Sequence, residues 1–195
     1  METRRVAAFD FDGTLTLRDT LAPFLRAVAG PRDLAVAVVQ TAPRFAIAML
    51  SDRARDAAKA ALLRRVLAGR SEAWLRELAE RYAEAIVTRQ MRSGMPERIE
   101  WHRREGHEIV IVSASPTIYL DAIGRRLGVD GVLATELEVG ADGLLTGELV
   151  GANVRRAEKV RRLEAWLGGD AEIWAYGDST GDRELLERAD HPLRI

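Results

Sequence analysis

The stretch Arg4-Arg5-Val6-Ala7-Ala8-Phe9-Asp10-Phe11-Asp12-Gly13-Thr14 governs the reading of the whole chain. From Arg4 to Asp10 it is a short apolar run that ends in acidic residues and a glycine. This predicts a buried strand handing over to a polar loop. Asp10 and Asp12 lie two residues apart, so on extended backbone their side chains point the same way. With the chain turning at Gly13, both carboxylates are expected to converge above the strand end. Carboxylates that close repel each other unless a cation sits between them. Mg²⁺, a hard ion that takes oxygen ligands, fits that role. A solvated acidic loop or a helix N-cap would use the same residues, and a motif this short leaves those alternatives open.

Two further segments match the first. Glu108 to Ser113 carries Ile109-Val110-Ile111-Val112 without interruption, and Glu172 to Tyr176 runs into Gly177-Asp178. Strands this uniformly apolar are covered on both faces, as in parallel sheets. All three end in a polar residue at the C-terminal edge, where open α/β sheets bind ligands. Between them lie helical periods over Met95 to Glu105, Thr117 to Leu127 and Arg155 to Leu167, each followed by a glycine suited to a C-terminal cap. His191 to Ile195 is read as the start or body of a last strand, and Leu133 to Val150 as a hairpin flap turning at Ala141-Asp142-Gly143. The predicted fold is α/β, a doubly wound and mainly parallel Rossmann-like sheet.

Four more helices are predicted before Met95: Leu21 to Ala29, Leu34 to Leu50, Arg53 to Leu67 and Glu72 to Met91. Ser51 and Ser71 stand at N-cap positions. A crossover between parallel strands needs only about a dozen residues. The excess predicts an all-helical cap domain, 18–92, inserted between core segments 1–17 and 93–195.

Composition narrows the chemistry. The 195 residues hold 29 basic and 30 acidic side chains, so no overall field favours nucleic acid or an anionic membrane. Cysteine is absent, which excludes disulfides, thiolate metal sites and thiol nucleophiles. The longest apolar stretch, Leu34 to Leu50, is broken by Gln40, Thr41, Pro43 and Arg44, whereas a spanning helix needs about 20 apolar residues. The apolar run near the N-terminus is too short for an export signal, and a cytoplasmic location is expected. His102, His107 and His191 share no ligand spacing and are read as structural or surface residues. Trp74, Trp101, Trp166 and Trp174 fit core faces. Neither Gly-x-x-x-x-Gly-Lys nor Gly-x-Gly-x-x-Gly is present.

Three other places carry chemistry. In Gly177-Asp178-Ser179-Thr180-Gly181-Asp182, Asp178 follows an apolar strand, while Asp182 is either a companion to it or a first-turn acid favoured by the helix dipole. Ser113 ends the second strand ahead of a helix start, where a hydroxyl and free amides form a phosphate cradle, and Ser115 fits the N-cap of that helix. Lys159 lies in a basic helix, and spacing alone does not separate it from Arg161 or Arg162.

Taken in order, these motifs resemble the haloacid dehalogenase superfamily, and within it the phosphoserine phosphatase-like branch (subfamily IB) with a helical cap inserted after the first motif. The match covers nearly the whole chain: Asp10 to Thr16, then Ser113, then Lys159, then Gly177-Asp178 with Asp182. The resemblance implies a phosphatase in which Asp10 attacks phosphorus and forms an aspartyl-phosphate, and Asp12 serves as acid and then base. It implies Mg²⁺ held by Asp10, the Asp12 backbone carbonyl and Asp178. Ser113, Ala114, Lys159 and Gly13 would bind the phosphate, with Thr14 and Asp182 in support. The substrate would be a small phosphate ester, and the protein a monomer or homodimer without nucleic-acid partners or stable membrane insertion.

The chain departs from phosphoserine phosphatases at Arg18-Asp19-Thr20, where they carry a glutamate for the substrate ammonium, so Asp19 is the candidate selectivity residue. It departs again at Gly-Asp-Ser-Thr-Gly-Asp. Relatives with such features include enzymes of phosphatidylglycerophosphate, which makes a lipid headgroup the alternative substrate, reached through contact of 34–50 with a lipid surface. A receiver-type signalling domain is disfavoured by Asp12 and the helical insert. A non-catalytic binding module is disfavoured because every candidate position is filled.

Overall fold

The structure, a computed structural model, describes residues 3–48 and 51–195. Its centre is a six-stranded sheet: β1 (Arg4–Phe9), β2 (Glu108–Pro116), β3 (Gly131–Val139), β4 (Leu145–Val150), β5 (Ala171–Gly177) and β6 (His191–Arg194). The spatial order is β4-β3-β2-β1-β5-β6, parallel throughout except where β4 pairs antiparallel with β3. The unbroken apolar runs follow from burial on both faces. Ala7, Phe9, Ile109 and Ile111 pack into one hydrophobic cluster, while Val6, Ala8, Val110 and Val112 pack into another. The predicted hairpin is present, its turn closed by Gly140 and Leu144. Its first strand, β3, continues the parallel sheet by pairing with β2 before it turns back along β4.

Seven helices flank the sheet among the described residues: α1 (Leu21–Ala48), α2 (Asp52–Leu67), α3 (Glu72–Arg89), α4 (Met95–Arg104), α5 (Thr117–Leu127), α6 (Ala157–Leu167) and α7 (Arg183–Arg188). Helix α1 is broken at Gly30 (φ 79°, ψ 164°) with Pro31 following, so the two predicted helices are two arms of one element. The end of the second, at Met49 and Leu50, lies outside the described residues. Ser51 and Ser71 accept from Ala54 and Trp74 backbone N–H groups, as N-caps should. Helix α6 begins two residues later than predicted. Arg156 is held at φ +53° by donating its N–H to the Gly181 carbonyl at 2.8 Å. Helices α1 and α2 pack on each other, α2 on β4, and α3 on α5. No described helix is long and apolar enough to cross a membrane.

Trp74 corrects one expectation, since it is 41% exposed on α3 rather than in the core. His102 and His107 are structural residues bonded to each other, while His191 is exposed and pairs with Glu172. His102 Nδ1 lies 2.8 Å from His107 Nδ1 and its Nε2 2.8 Å from the Tyr176 hydroxyl. Tyr176 in turn stacks on Phe9, the residue before Asp10. Burial, reinforced by His107 and Arg98, lowers His102 to about 4. The folded value therefore lies below the unfolded value of about 6.5. Stability is complete above that unfolded value and is lost as pH falls through the window from 6.5 to 4. We expect the wild type to lose about 3 kcal/mol across that window beyond what His102→Asn loses. Urea unfolding of both proteins at several pH values measures the difference, and parallel slopes would refute it.

Candidate active site

The site assembles at the C-terminal edge of the central strands. β1 ends at Phe9, and the Asp10 backbone N–H donates to the Tyr176 carbonyl (2.9 Å), holding Asp10 beside β5. Each oxygen of the Asp10 carboxylate accepts one hydrogen bond and keeps further acceptor capacity. Oδ1 accepts from Lys159 Nζ at 2.5 Å and Oδ2 from the Thr14 hydroxyl at 3.1 Å. Lys159, 1% exposed, also donates to Asp182 Oδ1 at 2.5 Å. Asp182 Oδ2 accepts from the Ser179 N–H and hydroxyl at 3.0 and 2.6 Å.

Charge is thus concentrated in a dry place, which the titration tendencies reflect. Burial raises Asp10 to about 6 against the pull of Lys159. Burial also pushes Asp182 upward, but Lys159 and Ser179 outweigh it and hold that carboxyl low. For Lys159 burial alone would lower the ammonium, and the two carboxylates more than reverse that. One lysine between two carboxylates leaves a net negative charge in a buried space, a situation that favours a further cation.

Asp178 supplies the place for one. Carboxylate oxygens of Asp10, Asp178 and Asp182 lie within 4.8 Å of one another. Both oxygens of Asp182 are committed to Lys159 and Ser179, whereas Asp178 Oδ1 is buried with no hydrogen-bond partner. An unpartnered buried oxygen beside a second carboxylate is the donor chemistry a hard divalent ion requires. Gly13 makes this approach possible: at φ +84°, a Cβ there would stand 2.3 Å from Asp178 Oδ2.

Asp10 and Asp12 line one pocket at this edge. The Asp12 carboxylate is not part of the Asp10–Asp178–Asp182 cluster. Its Oδ1 accepts from the Thr20 N–H (2.7 Å) and hydroxyl (2.6 Å), and its Oδ2 from the Ser115 hydroxyl (2.5 Å). The cause is the backbone, which leaves strand geometry at Phe11 and turns through Gly13. Burial raises Asp12, against the bonds from Ser115 and Thr20. Ser115 is therefore not the helix cap, since Pro116 occupies the N-cap of α5. Ser113 is buried at 1% exposure, and its hydroxyl accepts from the Ser115 N–H at 3.1 Å.

A pocket of about 270 Å³ opens on this edge, lined by Asp10, Asp12, Ser113, Ala114 and Lys159 and, on its outer side, by Asp19. Gly13 is not among the lining residues, and its carbonyl accepts from Arg92 Nη2 at 2.6 Å. Asp19 is exposed, and its Oδ1 accepts from the Ala22 N–H at 3.1 Å at the start of α1. Sequence reasoning missed the opposite wall, where Lys59 of α2, Asn153 and Arg155 line the same pocket. A signal for two of them was present. The sequence holds only two lysines, Lys59 and Lys159, among 29 basic residues, and Asn153 is its sole asparagine.

The profile of the haloacid dehalogenase-like hydrolases matches residues 7–187. Protein CicA of Caulobacter vibrioides is 39% identical over 186 residues, covering 95% of this chain and 83% of that protein. The phosphoserine phosphatase SerB1 of Mycobacterium tuberculosis is 34% identical over 122 residues, covering 60% of this chain but only 39% of the relative. Among solved structures, a Bordetella pertussis protein of unknown function superposes with a TM-score of 0.81 at 28% identity, covering 95% and 87% of the two chains. A substrate-bound phosphoserine phosphatase gives 0.63 at 20% identity, with 97% and 84% covered, and so shares the fold. The chain belongs to the haloacid dehalogenase-like hydrolases and is an enzyme of the phosphatase type within that family.

Proposed function

We propose that the chain is a Mg²⁺-dependent phosphomonoester hydrolase that works through an aspartyl-phosphate on Asp10 and acts on a small organic phosphate. The observation that carries this reading is the buried Lys159 shared by Asp10 and Asp182, with the unpartnered Asp178 oxygen alongside. In this reading residues 18–92 form a cap over a core of 1–17 and 93–195.

Asp10 attacks phosphorus with one carboxylate oxygen while the P–O bond to the leaving alcohol breaks. Lys159 and Thr14 fix that carboxylate before the attack, so no reorganisation accompanies it. Asp12, raised by burial, gives its proton to the departing alkoxide and later takes one from the water that hydrolyses the acyl-phosphate. The Ser113 hydroxyl, the Ala114 and Gly13 backbone and the Lys159 ammonium face the phosphoryl oxygens, where most phosphoryl-transfer catalysis resides. Asp10, the Asp12 carbonyl and Asp178 would hold Mg²⁺, which when bound offsets the negative charge of phosphate and carboxylates together.

Purified protein with Mg²⁺ is expected to hydrolyse p-nitrophenyl phosphate and to lose that activity in EDTA. A panel containing phosphoserine, sugar phosphates and phosphatidylglycerophosphate in detergent identifies the substrate class. No turnover of any ester would overturn the reading. The lipid-headgroup alternative has one observation in its favour, the exposed Val36, Val38 and Val39 on the second arm of α1, the last of them 72% exposed. Selectivity for the lipid ester in the panel would establish it over the soluble substrate.

A further inference from the structure

Helix α2 presents Asp56 and Lys59 to the pocket, and Asp52 stands one turn earlier on the same face, at the i, i+4, i+7 spacing. Asp52 pairs with Arg155 at 2.5 Å and Arg156 at 2.8 Å. Asp56 Oδ1 accepts from Asn153 Nδ2 at 2.7 Å, and Asn153 Oδ1 accepts from Lys59 Nζ at 2.7 Å. The Lys59 ammonium also donates to the Ala114 carbonyl. Lys59 is thereby tied on one side to the loop after β4 and on the other to the segment between Ser113 and Ser115.

That segment needs holding. The register between β2 and β3 slips between Ser113 and Pro116, so regular ladder pairing is interrupted there. The Ala114 carbonyl is held instead by side chains, accepting from Lys59 and from the Thr135 hydroxyl at 2.7 Å. One residue on, the Ser115 hydroxyl donates to Asp12 Oδ2 at 2.5 Å. A connected path therefore runs from α2 through Lys59 and Ala114 to Ser115 and the Asp12 carboxyl.

The composition points to the same residue. The chain meets its need for cations with arginine at every position but two, and both lysines lie in this pocket. An ammonium is a compact charge with three donors that can satisfy a carbonyl and an amide oxygen close together, where a planar guanidinium would not fit the same angles. Asp12, Asp56 and Asp19 favour the charged form of Lys59, although burial prevails and lowers it to about 8.

We propose that Lys59 is a positioning residue for proton transfer by Asp12, acting by fixing the Ala114 carbonyl and hence the Ser115 hydroxyl that orients the Asp12 carboxyl. This rests on the reading of Asp12 as the acid that protonates the leaving alcohol. It also gives the helical segment a direct part in the chemistry, because the path is complete only with α2 docked.

The test uses leaving groups. A nitrophenolate departs without a proton, whereas an alkoxide requires one. We expect Lys59→Met to lower kcat/KM, which reports the step in which the alcohol leaves and not the later hydrolysis common to both esters, at least about tenfold more on the fastest alkyl phosphate of the panel than on p-nitrophenyl phosphate. Ser115→Ala should show the same bias. The double variant should lose little more than either single one, because groups acting in one chain are non-additive. If Lys59→Met lowers the melting temperature, wild type and variant are assayed well below the lower midpoint, and Lys59→Gln, which keeps an N–H donor, should recover part of the alkyl-phosphate activity while Lys59→Met does not. Equal losses of kcat/KM on the two esters, or additive losses in the double variant, would each overturn the proposal. Asp12→Asn separates the two layers. If it shows no leaving-group bias, the acid assignment falls and this proposal with it. A bias in Asp12→Asn without one in Lys59→Met overturns the role of Lys59 alone.

Discussion

Asp10→Asn is expected to remove turnover of every phosphate ester, a fall of roughly 10⁴- to 10⁶-fold in kcat of the size seen when a nucleophile is deleted. The amide keeps the shape of the carboxylate and most of its packing. It is a poor nucleophile, and its nitrogen, if turned toward Lys159, sets donor against donor in place of the 2.5 Å charge-assisted bond. A fold-level effect is separable from a chemical one by ligand stabilisation. Beryllium fluoride with Mg²⁺, which mimics a phosphorylated carboxylate, should raise the melting temperature of the wild type and leave Asp10→Asn unmoved. Equal stabilisation of both proteins would place the phosphoryl acceptor elsewhere.

The part of this site that sequence reveals is the part in which position along the chain equals position in space. Asp10, Ser113 and Asp178 each stand at or just past the end of an apolar run. In a parallel sheet strand ends share one edge, so three separate motifs predict one site. The two-faced burial of β1, β2 and β5 was legible for the same reason, because a run without polar interruption has no face to offer water. Where local geometry departs from the ideal period, legibility fails. That Asp10 and Asp12 share one pocket is legible from their spacing, but the partners of Asp12 are not: the chain turns at Phe11 and Gly13, and Thr20 and Ser115 hold its carboxylate. Ser115 resembled an N-cap because serine before a helix usually is one. Its role as a donor to Asp12 depends on a residue 103 positions away.

The wall contributed by α2 has no local pattern to announce it, only the rarity of Lys59 and Asn153 in the composition. Lys59, Asp56 and Asp52 look like the solvated face of an amphipathic helix, and which side of a helix faces the site depends on tertiary docking. Asn153 and Arg155 lie in an irregular segment with no period to read. Pairs such as Arg155 with Asp52 and Asn153 with Asp56 join residues about 100 positions apart, and no local pattern announces them.

Lys159→Met should produce the largest combined loss of stability and activity. The sequence left Lys159 indistinguishable from Arg161 and Arg162, yet the structure separates them sharply. Arg161 is exposed and pairs with Glu158 three residues away, while Lys159 is buried between Asp10 and Asp182. Methionine fills a similar volume without the charge and leaves two buried carboxylates with no cation. Breaking a buried pair in this way costs about 3–5 kcal/mol, or a fall of roughly 10 °C in melting temperature for a chain of this size. Loss of a donor to the transferring phosphoryl group should lower kcat by about 10²- to 10³-fold as well. The pH dependence identifies the cause. In the wild type Lys159 helps hold Asp182 low, so this pairing stabilises above the unfolded carboxylate value of about 3.9 and is lost on acidification. In the variant the buried carboxyls favour their neutral forms, so stability is present at low pH and lost as pH rises. The gap between the two proteins should therefore be wide at pH 8 and narrow at pH 5, as followed by thermal melts. Arg161→Met should stay within about 0.5 kcal/mol of wild type at both. Similar losses in the two variants, or a gap that ignores pH, would mean that the Asp10–Lys159–Asp182 arrangement does not stabilise the fold as its geometry requires.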